Sequence, residues 1–240
     1  MMRLEGRKAV VTGAGRGIGR AIAIAFAQEG ADVAISARGL DSLAETASAI
    51  EALGRGAVPL AWDVREADRA RERLVAAREA LGGLDIVVNN AGVLRDPELS
   101  PVDEWDYVLD INLRGVYFIC RAAGELLAEQ GRGAIINIAS DYGFRGAPIP
   151  YGISKWGVVG MTRGLGKEFA PRGVRLNAIA PGSVATEMIG WHPGDPLDND
   201  RLPLRRLTRP EEIAAIAVFL ASDESSAVVG ECIVVNTANS

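Results

Sequence analysis

The period of apolar positions switches repeatedly along these 240 residues. Short continuous apolar runs stand at Lys8–Thr12, 32–36, Ala57–Ala61, 84–88, 134–139, 174–178 and 231–235. Runs of that length, bounded by turn residues, predict strands. Between them, helical spacing predicts helices over 18–28, 41–53, 67–81, 100–129, 151–169 and 210–220. Strands that alternate with helices of ten or more residues make βαβ units and a parallel sheet. Continuous apolar strands fit a sheet covered on both faces. Ser100 followed by Pro101 gives the fourth helix its start, an N-cap and then a proline at the first position.

Two places break the pattern. Asn112 falls in the apolar stripe of Trp105, Val108, Leu109 and Val116. A buried amide needs partners, so Asn112 is either a structural bridge or a site residue. From 183 to 207 the periodicity lapses and Gly190, Pro193, Gly194, Asp195 and Pro196 crowd together, as in a lid. Met188, Ile189, Trp191 and His192 in that lid are expected to shape an apolar pocket. No repeat or linker interrupts 1–240, which predicts one domain.

Composition narrows the function. A net charge of −5 argues against nucleic acid or an anionic membrane surface as partner. Cys120 and Cys232 stand far apart and His192 is the only histidine, so thiolate or imidazole metal sites and a Ser-His-Asp triad are disfavoured. No apolar run reaches the roughly 18 residues of a membrane span. The start MMRLEGRKAVVTG has no secretory pattern, so the cytoplasm is the default expectation.

Two stretches carry chemistry. After the first strand comes TGAGRGIG, with glycines at 13, 15, 17 and 19. It departs from G-x-G-x-x-G, because Ile18 replaces the third glycine. Glycines still permit a tight turn and close backbone approach, and the following helix N-terminus favours a pyrophosphate. An ordinary glycine-rich β–α turn would read the same way, but its position after the first strand favours nucleotide binding. The second strand ends Ser36-Ala37-Arg38, with no acid to hold the ribose hydroxyls of NAD. Arg38, with Arg16 in the glycine turn, suits the extra phosphate of NADP, so NADP(H) is expected over NAD(H).

The second stretch is APIPYGISK at 147–155. If Pro150 starts a helix, Tyr151 and Lys155 share one face. A cation beside a phenol favours the phenolate and brings its pKa towards neutrality. Ser140, eleven residues earlier, adds a hydroxyl. Solvated helix faces also produce such Tyr-Lys pairs by chance.

Together these pieces resemble the classical short-chain dehydrogenase/reductase family over the whole chain. The resemblance rests on TGAGRGIG, WDV at 62–64, NNAG at 89–92 and INL around Asn112. It continues through Ser140, YGISK at 151–155, NAIAPGSVAT at 177–186 and RLTRPEEIAAIAVFLASDESS at 206–226. It implies a Rossmann-like, doubly wound sheet of seven parallel strands and a homotetramer or homodimer. It also implies that Tyr151 is the general acid/base, that Lys155 lowers its pKa and binds the nicotinamide ribose, and that Ser140 holds the substrate oxygen. Asn112 would anchor a water in a proton relay. Asp63 and Val64 would contact the adenine, and Asn90, Ala91 and Gly92 the adenosine side. Pro181, Gly182, Val184 and Thr186 would hold the nicotinamide carboxamide and diphosphate. The general pattern is nearest to 3-oxoacyl-acyl-carrier-protein reductases and to sugar or polyol dehydrogenases, with Arg172 where such reductases often bind the carrier protein. The Ser140–Tyr151 spacing is about two residues shorter than the family's, which should reshape the substrate pocket. The C-terminal VVNTANS replaces the family's V-D-G-G-like end. An NADPH-dependent carbonyl reductase is the expectation. A nucleotide-binding sensor or partner subunit with little catalysis is the alternative.

Overall fold

The computed structural model describes residues 2–238, so Asn239 and Ser240 of the unusual C-terminus lie outside the described residues. Seven strands form one parallel sheet in the order β3-β2-β1-β4-β5-β6-β7. They are β1 (Lys8–Thr12), β2 (Asp32–Ala37), β3 (Ala57–Ala61), β4 (Ile86–Asn89), β5 (Gly133–Ile138), β6 (Val174–Pro181) and β7 (Cys232–Val235). Strand order reverses direction between β1 and β4, and a crevice opens there beyond the carboxyl ends of the strands. The central strands are almost wholly buried, which is why they read as unbroken apolar runs. β6 runs three residues beyond the expected 174–178, carried on by pairing with β7 up to Pro181↔Val235.

The helices cover both faces. One core layer joins α1 (Gly17–Gln28), α2 (Ala44–Glu51) and α8 (Pro210–Ala221) to the sheet, through Ile22, Phe26, Ile50 and Ile213. The other joins α3 (Ala70–Leu81), α5 (Val116–Glu129) and α7 (Pro150–Phe169), through Leu74, Ile119, Leu127 and Phe169. Among the described residues no helix is long and apolar enough to cross a membrane.

The expected helix over 100–129 is three segments. α4 (Pro101–Leu109) starts at Ser100, whose hydroxyl accepts from the Asp103 amide. A π-helical stretch, Asp110–Gly115, follows before α5. The wider turn changes the helix phase, so one period cannot describe both sides of it. Trp105, expected in the buried stripe, is 43% exposed, while Val108 is fully buried.

The expected lid is not shapeless. A bridge ties Val184 to Thr208 and another ties Asp198 to Arg206. Ala185, Leu202 and Leu207 form a small core against which Trp191 and Leu197 pack.

Candidate active site

A cleft of about 1110 Å3 lies over the carboxyl ends of the strands, at the switch between β1 and β4. The glycine turn forms its floor. Gly13 and Gly17 have φ of 65° and 54°, which favours glycine at both. A Cβ at Gly13 would stand 2.8 Å from the Ala91 Cα. Gly13, Gly15, Arg16, Gly17 and Ile18 line the cleft, whereas Gly19 does not. Gly19 instead packs against the Asn90 side chain and the Gly13 carbonyl. Asn90 fixes the turn, because its Nδ2 donates to the carbonyls of Thr12 and Gly13, each at 2.9 Å. No side chain caps the start of α1, so its first amides remain free for an anionic ligand.

One end of the cleft is basic. Arg38 and Arg16 are exposed on the cleft wall, and among the described residues neither is held in an ion pair. Asp63 and Val64 line the same end, and Arg65 holds the Asp63 carboxyl below its ordinary value. Asp41 and Ser42, which the sequence reading passed over, stand beside Arg38. Ala91 and Gly92 follow β4 into the cleft, and Pro181, Gly182, Val184 and Thr186 form the opposite wall. An empty helix N-terminus, a glycine floor that any Cβ would fill and two free guanidiniums suit a dinucleotide phosphate.

At the other end stand Ser140, Tyr151 and Lys155. Pro150 is the first residue of α7, as expected, and puts Tyr151 and Lys155 on one face. Lys155 is buried, and its Nζ donates to the Ile138 carbonyl at 2.8 Å. Burial brings its pKa down to about 8. The ammonium lies over the Tyr151 ring, 5.5 Å from the centroid. The Tyr151 phenol, however, is pushed above its ordinary value, first by burial and then by the charge of Asp141, with the Ser140 hydroxyl pulling it down. The protein alone therefore does not produce the lowered phenol expected from the Tyr-Lys spacing. Burial of the phenol is the dominant cause.

Asn112 stands behind the cleft rather than in it. Its Oδ1 accepts from the Val93 amide at 2.9 Å, and its Nδ2 donates to the Val93 carbonyl at 2.8 Å and the Ser154 hydroxyl at 3.3 Å. The side chain is thus a structural bridge between the π segment, the loop after β4 and α7. Beneath it runs a buried polar ladder, with Asn89 Nδ2 donating to Asn137 Oδ1 at 2.9 Å and Asn137 Nδ2 to Thr162 at 3.0 Å.

Met188 and Ile189 line the cleft, but Trp191 and His192 do not. Trp191 is drawn into the lid's own core, and its indole N–H donates to the Pro196 carbonyl. Arg172 lies at the far end of the 20-residue α7 from Tyr151, paired with Glu125 at 2.9 Å. The sequence reading also overlooked α6 (Tyr142–Arg145), a short helix that lines the substrate end. Its signal was available in the Asp141/Arg145 spacing of i, i+4.

Known proteins share this layout. A family model described as enoyl-(acyl carrier protein) reductase matches residues 13–237. A 3-oxoacyl-[acyl-carrier-protein] reductase of Thermotoga maritima is 41% identical over 97% of this chain and 97% of its own. A D-threitol dehydrogenase of Mycolicibacterium smegmatis is 40% identical over 98% of this chain and 93% of its own. A crystal structure of a short-chain type dehydrogenase/reductase from Mycobacterium marinum superposes with a TM-score of 0.89 at 35% identity, covering 98% of this chain and 96% of that one. With near-complete coverage in both directions, the chain is an oxidoreductase of the short-chain dehydrogenase/reductase family.

Proposed function

We propose that this protein binds NADP(H) in preference to NAD(H) and interconverts a carbonyl and a secondary alcohol. The substrate is a 3-oxoacyl thioester or a small ketone or sugar. The observation that carries the reading is the convergence of Ser140, Tyr151 and Lys155 at one end of a cleft whose other end presents Arg16 and Arg38. When bound, the cofactor supplies or takes the hydride. Arg38 and Arg16 hold the additional phosphate, and the amides of the glycine turn hold the pyrophosphate. Ser140 holds the substrate oxygen, and Tyr151 gives it a proton during reduction or takes one during oxidation. Lys155 binds the nicotinamide ribose, and Asn112 keeps the π segment and α7 in register for a water relay. The chain acts as one domain with 183–207 as its lid, assembled as a homo-oligomer. The names of the two relatives above support both a thioester and a polyol substrate. Arg172, paired and distant from Tyr151, gives no support to carrier-protein docking beside this cleft.

The test is oxidation of NADPH, with NADH in parallel, against ketones, 3-oxoacyl thioesters and keto sugars. NADPH should be the better cofactor, and Arg38→Ala should erode that preference about tenfold, the worth of one hydrogen bond to a charged group. Tyr151→Phe should cost at least about a hundredfold in kcat. Turnover that survives in Tyr151→Phe would remove the phenol from the reaction.

A further inference from the structure

Asp141 takes no part in the reaction outlined above, yet it is as buried as Lys155 and stands next to Ser140. Its backbone is pinned, the amide donating to the Pro181 carbonyl at 2.9 Å and the carbonyl accepting from Arg145 at 3.0 Å. Oδ1 accepts from the Ser140 hydroxyl at 3.3 Å. Oδ2 is shielded from solvent and has no hydrogen-bond partner among the described residues. Its neighbour is Arg145 Nη2, at 3.2 Å but out of hydrogen-bonding alignment. A carboxylate buried this way is costly unless it is countered, and few chains carry one without use for it.

The surroundings couple this pair to Tyr151. The Arg145 guanidinium lies over the Tyr142 ring, 4.9 Å from its centroid. Tyr142 meets Tyr151 edge to face, at 6.0 Å and 83°. α6 is docked tightly on α7, since a Cβ at Gly143 would stand 2.8 Å from the Lys155 carbonyl and 2.9 Å from Val159. The other charged groups facing this end are Lys155 from α7, Arg95 from the loop after β4, Glu104 from α4 and Glu187 from the lid. Burial raises Asp141 above the usual carboxylate range and Arg145 draws it back.

We propose that Asp141, countered by Arg145, is a positioning residue that takes the hydrogen bond of the Ser140 hydroxyl and sets the charge beside the Tyr142–Tyr151 pair. In the free enzyme the Ser140 oxygen then accepts from the Tyr151 phenol; a bound carbonyl draws the Ser140 hydroxyl from Asp141 to its own oxygen, and the resting site is poised to donate a proton. This rests on Tyr151 as the acid/base of the reaction.

Cofactor-free protein allows a direct test. Ultraviolet titration of tyrosinate, taken as the difference between a protein and the same protein carrying Tyr151→Phe, isolates the Tyr151 midpoint from the other three tyrosines. Asp141→Asn should lower that midpoint by about half a unit to one unit, and Arg145→Met should raise it by a similar amount. The acid limb of alcohol oxidation, set by loss of the Tyr151 proton, should move the same way in each variant, while NADPH affinity stays put. Asp141→Glu should restore the wild-type midpoint. Shifts below about 0.2 unit in both variants, or shifts of the same sign, would overturn the proposal, because loss of packing alone gives no mirrored response. If Asp141→Asn does not fold, Arg145→Met decides alone. Failure of the Tyr151 reading is separate: it shows as turnover in Tyr151→Phe and leaves the ultraviolet shifts untouched.

Discussion

Lys155 occupies a place where an ammonium is expensive. In the unfolded chain it titrates near 10.5, and in the folded protein burial brings it to about 8. Between those values the unfolded state binds a proton that the folded state does not, so stability rises with pH across that window. Below pH 8 the whole penalty is present, about 3 kcal/mol at most. Lys155→Met should therefore abolish turnover yet lose little stability, because removing the buried charge offsets the unpaired Ile138 carbonyl, a cost of about 1–3 kcal/mol. Urea unfolding below pH 8 and near 10.5 checks the sign: the variant's advantage over wild type should shrink as pH rises. A difference independent of pH would show that Lys155 is not desolvated as described. At this scale Tyr151 and Lys155 were legible because side chains four apart on a helix share a face, and Ser140 because it follows the end of β5. The direction of the Tyr151 shift was not, because burial depends on what α6 and the lid place over the ring.

The π segment shows how far an element can be read from its pattern. Asn112 marked the place as a polar residue in an apolar stripe, and the structure joins it to Val93 in the loop after β4. The extra residue in the turn was invisible, since a periodic template absorbs it as noise. Gly115 closes the segment against the end of β3, where an added Cβ would stand 2.5 Å from the Val64 carbonyl. That contact is backbone and has little room to give. Gly115→Ala should cost about 1–3 kcal/mol as overpacking. It should also weaken NADPH binding, because Asp63 and Val64 line the basic end of the cleft. Urea unfolding and fluorescence titration with NADPH read the two effects together. A stable variant with unchanged affinity would mean that the segment yields without moving Val64.

For the whole molecule, the strands and their parallel pairing were legible in the alternation of strands and helices, whereas their order across the sheet was not. The lid was less legible, because irregular backbone holds itself by contacts such as Trp191 with Leu202 that no period announces. Assembly is the remaining level. The outward face of α7 carries Ile153, Trp156, Gly160 and Gly164, one helical stripe. Trp156 is 56% exposed, and added Cβ atoms at Gly160 and Gly164 would meet nothing within 4 Å. Tyr117 and Phe118 on α5 extend the exposed apolar surface. A large aromatic beside bare glycines lets a second helix approach closely, and an apolar patch of this kind suits the same patch on a copy of the chain. Light scattering should therefore give a dimer or tetramer. Trp156→Glu puts a charge at the centre of the stripe and should release monomers that still bind NADPH, since Trp156 lies outside the cleft. Wild-type protein that is monomeric at micromolar concentration, or a variant that assembles as before, would place the contact elsewhere.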